Sequence, residues 1–157
     1  MQGSEFDEAE FFRAIGASGA RALLIGRRAL VALGIPVLTA DYDFWLHIDD
    51  VAAFNAAVET HGLYPTRTPA EARGKGRYVL ENDERVDVLV APTVPTVDGI
   101  RVAFDEVWTR RRRIEIASGI AVAVPALDDL ILTKRFGGRP KDLEDIRLLE
   151  ALRKEET

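Results

Sequence analysis

A chain of 157 residues, 47% hydrophobic and 30% charged, has room for one compact domain with a real core and not for two. It contains no cysteine, which excludes disulfides and thiolate zinc sites, and its two histidines stand far from any ligand spacing, so its chemistry has to rest on carboxylates, hydroxyls and bases. A formal net charge of −5 argues against a protein that coats nucleic acid and favours a small anionic ligand held with metal, while leaving room for a local basic patch that grips one end of an RNA.

The start of the chain, MQGSEFDEAEFF, has no basic segment followed by an apolar run, and no apolar run reaches the roughly 18 residues needed to span a bilayer, so a cytoplasmic protein without membrane contact is expected. Residues 6–15 are acidic at their start and bring Phe11, Phe12 and Ile15 near one face, which predicts a packing helix ending near Gly16. A short apolar strand over 22–25 breaks at Gly26; a helix over 27–33 follows, which Gly34 ends and Pro36 keeps from resuming. From 39 to 48 the period becomes two, with Tyr42, Phe44 and Leu46 on one face and Asp41, Asp43 and Trp45 on the other. Asp49 or Asp50 is placed to cap a helix over 51–60, and residues 63–77 read as a loop.

Residues 78–80 and 86–90 form a predicted hairpin around Asn82 and Asp83, with Val86, Val88 and Val90 on one face and Asp87 on the other. A proline-punctuated stretch over 91–99 precedes a short helix over 104–108 and a second hairpin of 113–117 with 121–124. Pro125 opens a helix over about 126–136, stopped by Gly137 and Gly138, and Pro140 starts a last helix reaching about 153. The expected fold is one α/β (α+β) domain: a mixed, largely antiparallel sheet covered by helices on one side, with the acidic cluster on the exposed side facing the C-terminal helices.

Two carboxylates on one strand and a third from a neighbour are costly together unless a cation neutralises them, and Mg²⁺ takes oxygen ligands supplemented by phosphate oxygens. Asp41, Asp43 and Asp87 are therefore candidate ligands of a two-metal phosphoryl-transfer site. On the Asp-x-Asp pattern alone a solvated strand face explains them as well, but aspartate is disfavoured in the middle of an apolar strand beside Phe44 and Trp45. Lys134 continues the stripe of Leu127, Leu130 and Ile131, so its ammonium emerges from an apolar face, either toward a ligand or as a rim lysine. Asp142 and Asp145 can pair with nearby cations, and for Asp142 helix-start stabilisation is the favoured reading. Arg110 to Arg113 fit a solvated edge better than a phosphate grip, and His47 and His61 read as structural or exposed without a partner.

The run LLIGRRALVALGIPVLTADYDFWL resembles the signature of minimal nucleotidyltransferases of the DNA polymerase β superfamily, a glycine turn and helix followed by an Asp-x-Asp strand. RVDVLV supplies a third aspartate, and VPALDDLILTKRFGGRPKDLEDIRLL resembles the C-terminal signature of the branch with abortive-infection and toxin–antitoxin nucleotidyltransferases. The resemblance spans most of residues 19–150. It implies that Asp41, Asp43 and Asp87 are catalytic and bind two Mg²⁺ ions, with Mn²⁺ as a substitute, Asp87 also helping to activate the acceptor hydroxyl. It further implies that Gly26 approaches the triphosphate while Lys134 and Asp145 line the nucleotide cleft. Arg27 stands where the family usually has a second glycine or a serine; its guanidinium either binds phosphate as a fork or blocks the pocket. The implied reaction moves a nucleoside monophosphate from a nucleoside triphosphate such as ATP to a hydroxyl on a small molecule, a tRNA end or a protein. A binding or regulatory module without transfer, and a toxin held by an antitoxin partner, are the alternatives.

Overall fold

The computed structural model describes residues 6–96, 99–137 and 139–156. Helix α1 (Glu8–Ala17) starts on Asp7, whose carboxylate accepts the Glu10 amide hydrogen, and it buries Phe11, Phe12 and Ile15. Strand β1 (Ala22–Ile25) runs directly into α2 (Gly26–Ala32), as the glycine break predicts. Strand β2 (Tyr42–Leu46) is shorter than the alternating run, and Asp41 lies just ahead of it. A single 3-10 turn (Ile48–Asp50) leads into α3 (Val51–Glu59), but Asp50 does not cap it as expected. The backbone amide and guanidinium of Arg21 hold the Asp50 carboxylate at 2.8 Å, so a charged fork takes the oxygens that a cap would use.

The expected loop over 63–77 is instead β3 (Tyr64–Pro65) and α4 (Pro69–Lys75). This helix has its own start and stop signals: Thr68 and Glu71 form a reciprocal capping box, proline occupies the first turn, and Gly76 closes the helix with φ 78°. Strands β4 (Arg77–Glu81) and β5 (Arg85–Leu89) make the predicted hairpin. The proline-punctuated stretch is also a hairpin, β6 (Thr93–Pro95) with β7 (Arg101–Ala103); its proline sits at a strand end, where a missing amide hydrogen is tolerated. Helix α5 (Phe104–Thr109), the hairpin β8 (Arg112–Ala117) and β9 (Ile120–Val124), α6 (Leu127–Gly137) and α7 (Pro140–Glu155) follow as predicted. Val97 and Asp98, in the proline-punctuated stretch, and Gly138, read as part of the α6 stop, lie outside the described residues. Among the described residues no helix is long and apolar enough to cross a membrane.

The principal sheet has the order β1-β2-β5-β4-β3, with β2 and β5 parallel and every other neighbour antiparallel. One face carries the larger core, where Tyr42, Phe44, Val86, Val88 and Leu80 pack under α1 and α3. The opposite, aspartate-bearing face was expected to be open, and half of it is not. Leu23 and Trp45 bury themselves there with Val94, Val102, Phe104 and Val107 beneath the β6–β7 hairpin and α5. An indole next to an aspartate cannot be left in water cheaply; Trp45 is fully buried, and its Nε1 donates to the Ala91 carbonyl at 2.8 Å.

Candidate active site

The uncovered half of that face is the floor of a cleft of about 520 Å³. Register brings the carboxylates together: Ile25 of β1 pairs with Asp43 of β2, Asp43 with Asp87 of β5, and Asp87 with Val79 of β4. Directly paired residues of adjacent strands point to the same face about 5 Å apart, so Asp43 and Asp87 stand side by side. The Asp43 carboxyl is pushed up to about 6, first by burial and then by the charges of Asp87 and Asp41, against the pull of Lys134 and Lys141. On Asp87 the guanidinium of Arg85, two residues away on the same strand, donates at 3.1 Å. Asp41 is exposed at the rim.

Gly26 is required by both its conformation and its neighbour. Its φ is 68°, and a Cβ there would lie 2.5 Å from the Oδ2 of Asp43. The approach to Asp43 is held by Arg28, which donates to the carbonyls of Asp41 (3.2 Å) and Thr39 (3.1 Å). Arg28 also lies 4.2 Å over the Tyr42 ring, and Glu8 accepts from the Tyr42 hydroxyl at 2.8 Å while meeting Arg28 at 3.5 Å. The sequence reading missed Arg28, since nothing in a pair of arginines says which one turns toward the aspartate strand.

The C-terminal helices form the facing wall. Lys134 of α6 lines the cleft although it is only 7% exposed, and its Nζ donates to the Oδ2 of Asp145 at 2.8 Å. Asp145, in α7, is fully buried and therefore needs cations around it. Arg27 supplies the second one, its Nε 3.1 Å from Asp145 Oδ1 and its Nη2 3.6 Å from Glu144. Arg27 thus ties α2 to α7; neither Arg27 nor Asp145 lines the cleft, whereas Gly26, Asp41, Asp43, Asp87 and Lys134 do. At the start of α7, burial pushes the Asp142 carboxyl up, but hydrogen bonds from the amide and guanidinium of Arg139 outweigh it and leave the group below its usual range. That is the helix-start role expected of Asp142.

The cleft also collects basic side chains that the sequence reading did not single out: Arg67, Arg77 and Arg85 on the β3–β4–β5 side, Arg139 and Lys141 on the α7 side. They come from separate elements, so no run of residues announces them. The arginine run that does stand out lies elsewhere: Arg110 clamps Asp129 at 2.9 Å, Arg111 covers Trp108 at 3.9 Å and Arg112 meets Glu156 at 3.3 Å. His47, read as partnerless, accepts the Asp49 amide hydrogen and lies 3.4 Å from Asp105.

As a seat for metal the floor offers the carboxylate pair Asp43 and Asp87, whose mutual charge is what a divalent cation relieves. Among the described residues no three acidic or histidine side chains are gathered closely enough to hold an ion as they stand. The donor chemistry fits Mg²⁺, with two protein carboxylates and the remaining positions left to other oxygens.

No family model matches this chain, and no curated protein does. Solved structures do. The antibiotic-resistance factor ANT(2'')-Ia matches in its solution structure with a TM-score of 0.63 at 15% identity, over 89% of this chain and 78% of that one. Its crystal structure in complex with adenylyl-2''-tobramycin matches with a TM-score of 0.59 at 16% identity, over 89% and 83%. A candidate nucleotidyltransferase of Thermotoga maritima matches with a TM-score of 0.55 at 15% identity, over 92% and 86%. The chain has the nucleotidyltransferase fold. In this fold the mixed sheet presents Asp43 and Asp87, and the C-terminal helices bring Lys134 over them. The abutting glycine turn leaves its backbone against Asp43.

Proposed function

We propose that this protein is a Mg²⁺-dependent nucleotidyltransferase that moves a nucleoside monophosphate from a nucleoside triphosphate to a hydroxyl and releases pyrophosphate. The observation that carries the reading is the in-register pair Asp43 and Asp87 on a cleft floor bordered by Lys134. Bound Mg²⁺ supplies Lewis-acid stabilisation of the attacking and leaving oxygens. Asp43 and Asp87 would hold the ions, with Asp41 at the rim as a third oxygen donor; Mn²⁺, also an oxygen-seeking ion, could replace Mg²⁺.

The acceptor oxygen forms a bond to the α-phosphorus while the bond from that phosphorus to pyrophosphate breaks, and Asp87 takes the acceptor proton. Lys134 meets the phosphate charge, and its pairing with the fully buried Asp145 holds the side chain in place and aimed. Gly26 admits the triphosphate beside Asp43 because it has no side chain to obstruct it. ATP is the first triphosphate to test, since a similar structure holds an adenylyl product, adenylyl-2''-tobramycin.

The test is incubation with each labelled nucleoside triphosphate, Mg²⁺ or Mn²⁺, and a cell extract as a source of small molecules, tRNA and proteins. Label transfer with pyrophosphate release is expected, lost in Asp43→Asn and Asp87→Asn. Triphosphate binding without transfer under either metal would replace this reading with a binding module of the same fold.

A further inference from the structure

We infer that the acceptor is an anionic molecule whose reactive hydroxyl lies next to a phosphate, seated on Arg67 and Arg77 on the opposite side of the carboxylate pair from Gly26. The inference rests on the nucleotidyl-transfer reading and adds the acceptor's chemical class. Strand order lays the cleft out in a line: Gly26 at the end of β1, Asp43 on β2, Asp87 on β5, Arg77 on β4, and Arg67 just beyond β3. Arg77 lies two residues before Val79, the partner of Asp87, and therefore faces the same way. Strand spacing puts its Cα about 8 Å from that of Asp87, within reach of a group held over the carboxylate by a long guanidinium side chain. The Thr66 amide donates to the Val79 carbonyl at 2.8 Å, which brings Arg67 to the same end of the floor.

Both arginines line the cleft, and neither guanidinium makes a hydrogen bond or salt bridge among the described residues, that of Arg67 acting at longer range on Glu71. Arg85 is not part of this pair: it stands at the other end of the β4–β5 hairpin, opposite Glu81, where it is bound to Asp87. Guanidiniums gathered without a counter-ion repel one another, and an anion relieves that cost. The triphosphate does not require this pair, because Lys134, Arg139 and Lys141 line the cleft on the α6–α7 side and offer it cations there. Nor is the patch a by-product of a basic chain, since the formal net charge is −5. In-line transfer sets the attacking and leaving oxygens on opposite sides of the α-phosphorus, which matches cations at both ends of the cleft and carboxylates between them. The acceptor's hydroxyl oxygen bonds to the α-phosphorus, pyrophosphate leaves toward α7, and the phosphate next to that hydroxyl stays on the arginines unchanged.

The experiment supplies labelled ATP and Mg²⁺ with three acceptors: a single-stranded oligoribonucleotide with a free 3′-hydroxyl, a nucleoside 5′-monophosphate, and an unphosphorylated polyamine aminosugar. The same acceptors are offered to the Arg67→Ser/Arg77→Ser double variant, and direct binding of the fluorescent oligoribonucleotide and of the monophosphate is measured without ATP. Label on a phosphate-bearing acceptor is expected, the oligoribonucleotide and monophosphate arms separating a nucleic-acid end from a small molecule. The double variant is expected to lose at least tenfold in acceptor binding while keeping its Mg²⁺-ATP melting shift, which also reports that it is folded. Transfer to the aminosugar in preference, or unchanged acceptor binding in the double variant, overturns the inference. If the wild type shows no Mg²⁺-ATP shift, the nucleotidyl-transfer reading fails instead, and loss or retention of direct acceptor binding in the variant still decides the anion seat.

Discussion

At Asp43 a carboxyl is raised to about 6 because burial and the charges of Asp87 and Asp41 all penalise its ionised form. The folded chain therefore keeps this proton at a pH where the unfolded chain, at the ordinary value of 3.8, has already lost it. Stability then falls as pH rises from that value to about 6 and stays reduced above, by roughly 3 kcal/mol at most before solvent screening. Asp43→Asn removes the penalty, so without metal the variant should match wild type near pH 4 and exceed it at pH 7, by roughly 1–3 kcal/mol. Urea titrations in a chelator at the two pH values measure the difference. Melts with Mg²⁺ and ATP supply the opposite sign: wild type gains and the variant does not, and an equal ligand-induced shift in both would sink the metal-site reading. Gly26→Ala tests the neighbouring position. A side chain at φ 68° is strained, and its Cβ would meet the Asp43 oxygen at 2.5 Å, so losses of more than about 1 kcal/mol in stability and of the Mg²⁺-ATP shift are expected together.

Between elements, Asp145 joins α2, α6 and α7 through Arg27 and Lys134, and the two ends of this network have different jobs. Asp145→Asn leaves the buried ammonium of Lys134 with no matching charge and should cost about 3–5 kcal/mol in chemical denaturation. Lys134→Met leaves Asp145 with Arg27, so its stability loss should be the smaller. Its triphosphate affinity should nevertheless fall by at least about tenfold in calorimetric titration, the worth of one charge-assisted contact. A Lys134→Met protein that binds triphosphate normally would assign the lysine to the helix interface alone. Helix α4 is the contrast: Thr68→Ala removes its cap for about 1 kcal/mol and should leave ligand binding unchanged.

These elements also mark what the sequence makes legible. Strand β1, the hairpin of β4 and β5, and helices α6 and α7 were readable because local period, turn residues and proline starts agree. Helix α4 was readable too, from Thr-Pro-Ala-Glu and Gly76, but its charges and missing apolar stripe masked the caps. The prolines of the 91–99 stretch hid β6, because local rules do not show that a strand end is where proline is tolerated. Asp43 and Asp87 were each visible, yet their direct pairing belongs to parallel strands far apart in the chain. Arg67 and Arg77 carried no signal, since only the sheet order brings them to the end of the floor.

For the molecule as a whole, the principal sheet is shared by two apolar clusters, and that sharing sets how it should unfold. Leu24 and Phe44 serve the larger cluster while Leu23 and Trp45, their neighbours on the same strands, serve the smaller. Helix α6 spans both, with Leu130 and Ile131 in the larger and Leu132 against the smaller. Neither cluster can open without exposing strands that the other needs, which predicts one cooperative transition. Two probes see different parts of it. Trp45 is inside the smaller cluster and Trp108 packs at its edge, so tryptophan emission reports that side, whereas far-ultraviolet circular dichroism reports helices from the whole chain. Coincident urea midpoints from the two signals are expected. An emission transition that precedes loss of helix would mean that the β6–β7 hairpin and α5 detach as a separate unit, and the covered half of the aspartate face would then be a lid rather than part of the core.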